Sequence, residues 1–171
     1  STYRVNTSTL INDTNWHNLI VINNGDNNNN QVFIDGTEAS YTLQGTGRTT
    51  LYNTTGIATS IGSSANTPTT YAFNGSLSNV SIYSSELSAA QVKTLYNEGK
   101  PFDINTFAVT PVSWWRLGAV NSSFDGTNWT ILDEISTSGN NGTSANMTQA
   151  DLVDGVGATG SGTSSGMSSG T

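Results

Sequence analysis

The chain has 171 residues with 12 acidic and 5 basic side chains, so its formal net charge is −7 at neutral pH. The basic residues are scattered, which excludes the basic patch that neutralises nucleic-acid phosphates. No apolar run approaches the roughly 20 residues of a membrane-spanning helix. The lack of cysteine excludes disulfides and thiolate metal sites. We therefore expect neither nucleic acid nor a membrane as a partner.

The first half of the chain contains short apolar runs separated by Asn, Gly, Thr and Ser. Runs spaced by about ten residues are typical of an antiparallel sandwich or barrel. The Asn-rich segment 23–30 is predicted to form a hairpin tip, because Asn and Gly tolerate left-handed conformations. The runs lie near residues 2–11, 17–23, 31–35, 39–43, 48–52, 57–61, 70–73 and 76–83.

One helix is predicted after these strands. Ser88 precedes Gln91 by three positions, the spacing of a capping box that satisfies backbone donors in the first helical turn. Gly99 and Pro101 are predicted to end the helix. The residues that recur at helical spacing, and should form one buried stripe, are Val92, Leu95 and Tyr96.

Two further strands are predicted beyond Pro101, within residues 112–118 and 129–135. A Gly- and Asn-rich turn and a short strand follow within residues 138–147. Residues 158–171 contain almost only Gly, Ser and Thr. Because such a segment cannot offset its ordering entropy by burial, we expect a flexible tail. The start at Ser1, without methionine or signal peptide, is typical of a fragment or processed product.

The Trp16-His17 pair, the apolar strand after it and a second strand ending at Asp35-Gly36 resemble the laminin-G-like branch of the concanavalin A-like lectin/glucanase superfamily. Residues 73–83 resemble the late strand of that family, and residues 84–96 resemble its closing helix. The resemblance covers roughly residues 10–100. It implies an all-β, antiparallel jelly-roll β-sandwich with one short helix, which binds glycans or proteins more often than it performs catalysis.

The later part of the chain resembles the beginning of such a domain. The chain therefore carries late-half elements in residues 1–100 and early-half-like strands in residues 101–157. We expect the two parts to complete one sandwich, residues 1–157, followed by the tail, residues 158–171. Residues 114–148 also resemble the C-terminal regions of structural proteins from tailed phages.

The chain lacks the catalytic pattern of the superfamily's β-glucanases, a strand of the form Glu-x-Asp-x-x-Glu. Its nearest approach is Asp133-Glu134, whose adjacent side chains would point to opposite faces of a strand. His17 is the single histidine, and no Gly-x-Ser-x-Gly nucleophile motif accompanies it. We therefore expect His17 to be a half-buried strand residue, and we predict no catalytic residues, no zinc and no enzymatic activity.

Calcium is the one ion that the resemblance leaves open, because related lectin domains often bind it. Asp125, Asp133 and Asp154 have the right chemistry, but they do not form a spaced string of ligands. Asp125 and Asp154 each precede a glycine, which is more often turn chemistry. We therefore predict no cofactor and leave the metal ligands unassigned.

Aromatic side chains are the candidates for glycan binding, because sugar rings stack on exposed aromatic rings. The candidates are Trp114, Trp115 and Trp129. In a regular strand one of the adjacent pair faces the core, and the other faces away. The outward ring could stack on a glycan, pack under a loop or lie in a subunit interface. The Asn-x-Ser/Thr sequons at Asn53 and Asn74 follow from the composition.

These observations favour a non-enzymatic structural or recognition domain on the surface of a phage virion, as a capsid decoration, tail or fibre component with weak glycan binding. The expected partners are other virion subunits, further copies of the chain and cell-surface glycans. The alternative is an extracellular or bacterial cell-surface lectin or adhesin domain that binds carbohydrate.

Overall fold

The computed structural model describes residues 4–8, 11–23, 30–44, 59–63, 72–118, 121–135 and 139–152. These residues contain ten β-strands, one α-helix and three short 3₁₀ turns, at Asn97–Gly99, Ile104–Thr106 and Gln149–Asp151. All strand pairs among them are antiparallel. The predicted all-β antiparallel class with one short helix is therefore confirmed. None of the helices in the described ranges is long and apolar enough to cross a membrane.

The chain divides into two compact units. The first comprises Ser1–Thr55 and Ser85–Ile104, and the second comprises Gly56–Ser84 and Asn105–Thr171. The strands of the first unit are β1 (Arg4–Thr7), β2 (Leu19–Ile22), β3 (Gln31–Ile34), β4 (Thr37–Ala39) and β5 (Tyr41–Gln44). They form a two-stranded sheet, β1-β5, and a three-stranded sheet in the order β2-β3-β4.

The centre of the three-stranded sheet is β3, in which Val32, Phe33 and Ile34 are all buried. A two-residue turn, Asp35-Gly36, connects it to β4, because Ile34 pairs with Thr37. Both turn residues have positive φ, 51° and 72°. This is the backbone that an Asp-Gly pair provides most readily in a tight hairpin, as the sequence predicts.

The helix of the first unit, α1 (Ala89–Tyr96), has the predicted capping box. The Ser88 hydroxyl accepts a hydrogen bond from the Gln91 backbone N–H at 3.3 Å, and the Gln91 side-chain oxygen accepts one from the Ser88 N–H at 2.8 Å. Val92 is fully buried, whereas Leu95 and Tyr96 are half-buried. The helix ends before Gly99, because Asn97 already adopts the left-handed conformation at φ 48°.

The strands of the second unit are β6 (Val80–Ile82), β7 (Ser113–Trp115), β8 (Ser122–Phe124), β9 (Trp129–Ile131) and β10 (Gly142–Thr143). They form a two-stranded sheet, β6-β7, and a three-stranded sheet in the order β10-β9-β8. The strands predicted within residues 112–118 and 129–135 are thus present as β7 and β9. A buried cluster holds this unit together, formed by Trp115, Trp129, Ile131 and Leu152.

Pairing of β6 with β7 joins residues from the early and late parts of the chain, as a shared sheet requires. The boundaries of a single sandwich at residues 1–157, and of the tail at 158–171, stay predictions. The tip of the predicted hairpin at residues 24–29 lies outside the described residues, as do the tail and the run at 48–52.

Two predicted strands are wrong where the structure describes them. Residues 59–61 and 72–73 form no strand. Ile61 and Phe73, the large apolar side chains there, are exposed, so the apolar burial that stabilises a strand is absent at these positions.

Candidate functional site

The loop before β2 and the turn after β3 meet at His17. Its Nδ1 lies 2.7 Å from Oδ2 of Asp35, in the turn, and its Nε2 lies 2.8 Å from Oδ1 of Asp13, in the loop. We call these three residues the carboxylate–histidine cluster. Asp13 precedes His17 by four residues, and the pairing of β2 with β3 brings Asp35, which directly follows β3, beside the start of β2.

Backbone hydrogen bonds fix both carboxylates of the cluster. Asp35 accepts a hydrogen bond from the Asn18 N–H at 2.9 Å through Oδ1, and its own N–H donates to the Asn18 carbonyl at 2.9 Å. Asp13 accepts a hydrogen bond from the Asn15 N–H at 2.8 Å. The loop is therefore fastened to the turn through side chains and backbone together.

The electrostatics of the cluster favour a positively charged His17. Ionised carboxylates only accept hydrogen bonds, so two of them on one ring require both ring nitrogens to donate. The hydrogen bond with Asp13, and then the one with Asp35, raises the pKa of His17 above 6.5. The bond with His17, and then the Asn15 N–H, lowers the pKa of Asp13 below 3.8. His17 is half-buried, as predicted, but it lies in the loop before β2 and not in a strand, because β2 begins at Leu19.

Trp16 lies on the same loop with 51% of its surface exposed. The residues just before it, 12–15, are all polar and exposed. An indole ring offers a large apolar face and a polar N–H at its edge. The loop thus presents an exposed apolar ring among residues that carry carboxylate, amide and hydroxyl groups.

A laminin-G family model, described as the Concanavalin A-like lectin/glucanases superfamily, matches residues 1–93, just over half of the chain. The chain belongs to this superfamily. Membership in the concanavalin A-like lectin/glucanase superfamily indicates carbohydrate binding or a structural role, and laminin-G-like domains are generally non-enzymatic. No curated protein and no solved structure matches the chain.

The match contains the carboxylate–histidine cluster and Trp16, and it ends inside α1. Residues 1–93, the part of the chain that the family model matches, therefore include the exposed ring of Trp16. The three tryptophans that the sequence predicted for glycan stacking lie beyond the match.

The prediction that these three tryptophans are surface candidates for stacking on a glycan is wrong. Trp114, Trp115 and Trp129 are all buried, with 1%, 9% and 7% of their surface exposed. Trp114 and Trp115 do point to opposite faces of β7, but both faces are covered. Trp115 and Trp129 belong to the buried cluster of the second unit.

Each buried indole N–H has an acceptor, as buried tryptophan usually requires. Trp114 donates to the side-chain oxygen of Asn79 at 2.6 Å, and the Arg116 guanidinium lies over its ring, 4.8 Å from the centroid. Trp115 donates to the carbonyl of Asn140 at 2.8 Å, and Trp129 to that of Thr148 at 3.0 Å. These internal contacts are typical of tryptophans that stabilise the fold.

Two of the three carboxylates considered for calcium, Asp125 and Asp133, accept hydrogen bonds from backbone N–H groups. Asp125 accepts hydrogen bonds from the N–H groups of Thr127 and Asn128, both at 2.8 Å, which lower its pKa. Asp133 is buried and accepts from the N–H groups of Trp114 and Ile135. Within the described ranges, no group of three or more His, Asp or Glu side chains has an arrangement suited to hold a metal ion. Asp154 lies outside these ranges.

Asp133 and Glu134, the nearest approach to the missing β-glucanase motif, also make structural contacts. The Asp133 carboxylate is engaged by backbone N–H groups, whereas Glu134 lies 3.5 Å from Nε of Arg116 and accepts from the Asn121 amide. The two carboxyl groups therefore have separate partners.

Sequence reasoning noted Trp16 and His17 only as the start of a strand and missed Asp13 and Asp35 as partners. A signal for Trp16 was present, because a tryptophan within a run of short polar residues has no apolar neighbours to bury it. A signal for the cluster was also present in the Asp13-x-x-x-His17 spacing.

Proposed function

We propose that this chain is a non-enzymatic recognition domain that binds a glycan through the loop carrying Trp16. The observation that carries this proposal is the exposed Trp16 ring on a loop held in place by the carboxylate–histidine cluster. In this assignment the indole stacks on the apolar face of a sugar ring. The exposed side chains of Asp13 and Asn15 exchange hydrogen bonds with its hydroxyl groups.

The contacts within the loop support binding, because a preformed site loses less conformational entropy when a ligand binds. Two hydrogen bonds lie within the loop and three join the loop to the turn, all at 2.7–2.9 Å. A single stacked ring gives a weak site. Repetition of the domain on a particle would raise its effective affinity by about 10²–10⁴ through avidity.

The contacts of Asp13 and Asp35 support a binding role over hydrolysis. A glycosidase needs one carboxylic acid to protonate the leaving oxygen and a second carboxylate as nucleophile or base. Here both carboxylates are held by the same imidazole, and each also accepts a backbone N–H. These bonds occupy both oxygens of Asp35 and Oδ1 of Asp13.

Attachment to a larger assembly is the second part of the proposal. In this proposal the domain lies on a virion surface as a decoration, tail or fibre component, with other subunits or further copies of the chain as partners. Two observations support it: the resemblance of residues 114–148 to phage structural proteins, and the exposed apolar side chains of Leu19 and Val21 on β2. An extracellular or bacterial cell-surface lectin is the alternative, with the same glycan site.

Glycan-array screening followed by calorimetric titration tests the first part. We expect Trp16→Ala to weaken binding about tenfold, because an aromatic contact contributes about 0.5–1.5 kcal/mol beyond its buried area. Phe73→Ala is the matched control, because Phe73 is 57% exposed, similar to Trp16, but lies on a different loop. Unchanged binding by Trp16→Ala would overturn the assignment. Release of reducing sugar by the wild-type protein would contradict the non-enzymatic role.

Antibody labelling of the native particle in the electron microscope tests the second part. Regular labelling of a virion is expected, and labelling of a bacterial envelope would favour the alternative. Sedimentation of the isolated chain tests association between copies. Leu19→Lys with Val21→Lys should shift the chain toward monomer, whereas Thr42→Lys, on the exposed surface of β5, should not.

A further inference from the structure

We propose that protonated His17 is a positioning residue of the glycan site: it fastens the Trp16 loop to the β3–β4 turn, and loss of its proton releases the loop. This inference rests on the proposed function for its consequence, glycan binding, but the switch itself is a property of the described contacts. Both ring nitrogens of His17 contact carboxylate oxygens, at 2.7 and 2.8 Å.

Proton counting identifies the bond that is lost. A neutral imidazole has a single N–H, so one nitrogen must direct a lone pair toward a carboxylate. Asp35 is also held by two hydrogen bonds with the backbone of Asn18, one through its carboxylate and one through its own N–H. Neither bond depends on the proton of His17. Asp13 has no such connection to the turn among its described contacts. The neutral ring therefore keeps its N–H on Nδ1 toward Asp35, and the contact between Nε2 and Asp13 is lost to solvent.

The charged groups that act on His17 are Asp13 from the loop and Asp35 from the turn, and both favour the protonated ring. The helix contributes Tyr96, which packs on Gly36 of the same turn. The pKa of His17 is raised by the two carboxylates, so the release falls above the pH at which a free histidine loses its proton.

Release of Asp13 affects Trp16 because of its place in the chain. Trp16 lies between Asp13 and His17, and Asp13 also holds the N–H of Asn15. With Asp13 free, the contacts that remain among the described residues hold the loop at its β2 end. A glycan must then order the loop again, and its apparent affinity falls in proportion to the closed fraction.

Two measurements on the wild-type chain test the switch without any glycan. His17 is the single histidine, so its NMR signals report its titration directly. Trp16 is the exposed tryptophan, whereas the other three are buried, so acrylamide quenching of fluorescence reports chiefly on Trp16. We expect a midpoint above 6.5 for His17 and a rise in quenching with the same midpoint.

Variants separate the switch from general effects on the fold. Asp13→Asn should return the His17 midpoint toward 6.5 and leave Trp16 readily quenched at every pH. Asp151→Asn is the matched control, because Asp151 is also an exposed carboxylate with a lowered pKa, but its partner is Thr148. This control should reproduce both wild-type curves. A titration midpoint of His17 at or below 6.5, or acrylamide quenching of Trp16 that does not change with pH, would overturn the inference whether or not a glycan binds.

The glycan arm separates this inference from the proposed function. With a sugar identified on the array, the wild-type Kd should rise about two- to tenfold across the His17 midpoint, and the Kd of His17→Gln should not change with pH. If the switch operates but no sugar binds, the proposed function is overturned, and so is the role of His17 in glycan binding. If a sugar binds with a pH-independent Kd, His17 does not position the site.

Discussion

Gly36 lies directly against the ring of Tyr96: a methyl group on its Cα would come within 2.8 Å of Cδ1 of that ring. The hairpin turn between β3 and β4 therefore packs against the last turn of α1. Asp35, the other residue of this turn, contacts His17. Packing of α1 on the turn therefore also supports the carboxylate–histidine cluster.

Gly36→Ala should reduce the free energy of unfolding by about 2 kcal/mol or more, because it combines a positive-φ cost of about 1 kcal/mol with overpacking against Tyr96. Gly139→Ala is the matched control, because Gly139 has a similar φ of 62° and no atom within 4 Å of the new methyl group. The control should cost only the backbone contribution. Urea unfolding followed by circular dichroism measures both, and equal losses would show that the Tyr96 contact does not matter.

Ser88→Ala should reduce the free energy of unfolding by about 1 kcal/mol, because it removes the hydroxyl acceptor of the capping box. Ser85→Ala changes an exposed serine three residues earlier and should be nearly neutral. Thermal unfolding of the two variants side by side makes the comparison. A loss at Ser85 as large as that at Ser88 would indicate that the cap contributes nothing specific.

The features that the sequence predicted correctly are set by neighbours in the chain. The turn at Asp35-Gly36 needs only two residues with positive φ, and the cap needs only Ser88 and Gln91. Burial of Trp114 and Trp115 could not be predicted in this way. It depends on partners distant in the chain, such as Asn79 and Asn140, which accept hydrogen bonds from the two indoles and are 35 and 25 residues away.

The same distinction applies to the candidate site. Exposure of Trp16 follows from its polar surroundings in the loop, and the contact of His17 with Asp13 spans four residues. The contact of His17 with Asp35 spans 18 residues and exists only because β2 pairs with β3 in the observed register. A one-residue slip would turn the side chains of β2 to the other face.

Asp133→Ala should reduce the free energy of unfolding by roughly 2 kcal/mol or more, because it removes a buried side chain that accepts two backbone hydrogen bonds. The bonds come from Trp114 at 2.9 Å and Ile135 at 3.0 Å. Asp133→Asn should cost less, because its amide oxygen can still accept. Asp125→Ala, at an exposed turn with two similar bonds, is the control and should cost about 1 kcal/mol. Equal losses at the two positions would contradict a special role for burial.

The contribution of the carboxylate–histidine cluster to stability should depend on pH within a defined window. His17 has a raised pKa in the folded chain, so its contribution is complete below about 6.5 and is lost as the pH rises through the folded value. Asp13 has a lowered pKa, so its contribution is complete well above 3.8 and is lost as the pH falls through the folded value.

The difference in melting temperature between the wild type and His17→Gln should therefore be largest between about pH 5 and 6.5 and should shrink on both sides. On the alkaline side it should not vanish, because the neutral ring still donates to Asp35. Calorimetric scans from pH 3 to 9 measure the difference. Asp151→Asn supplies the comparison, because the difference in melting temperature between it and the wild type should vary with pH only on the acidic side. A difference that keeps growing as the pH rises above 7 would mean that neutral His17, and not its charged form, holds the loop to the turn.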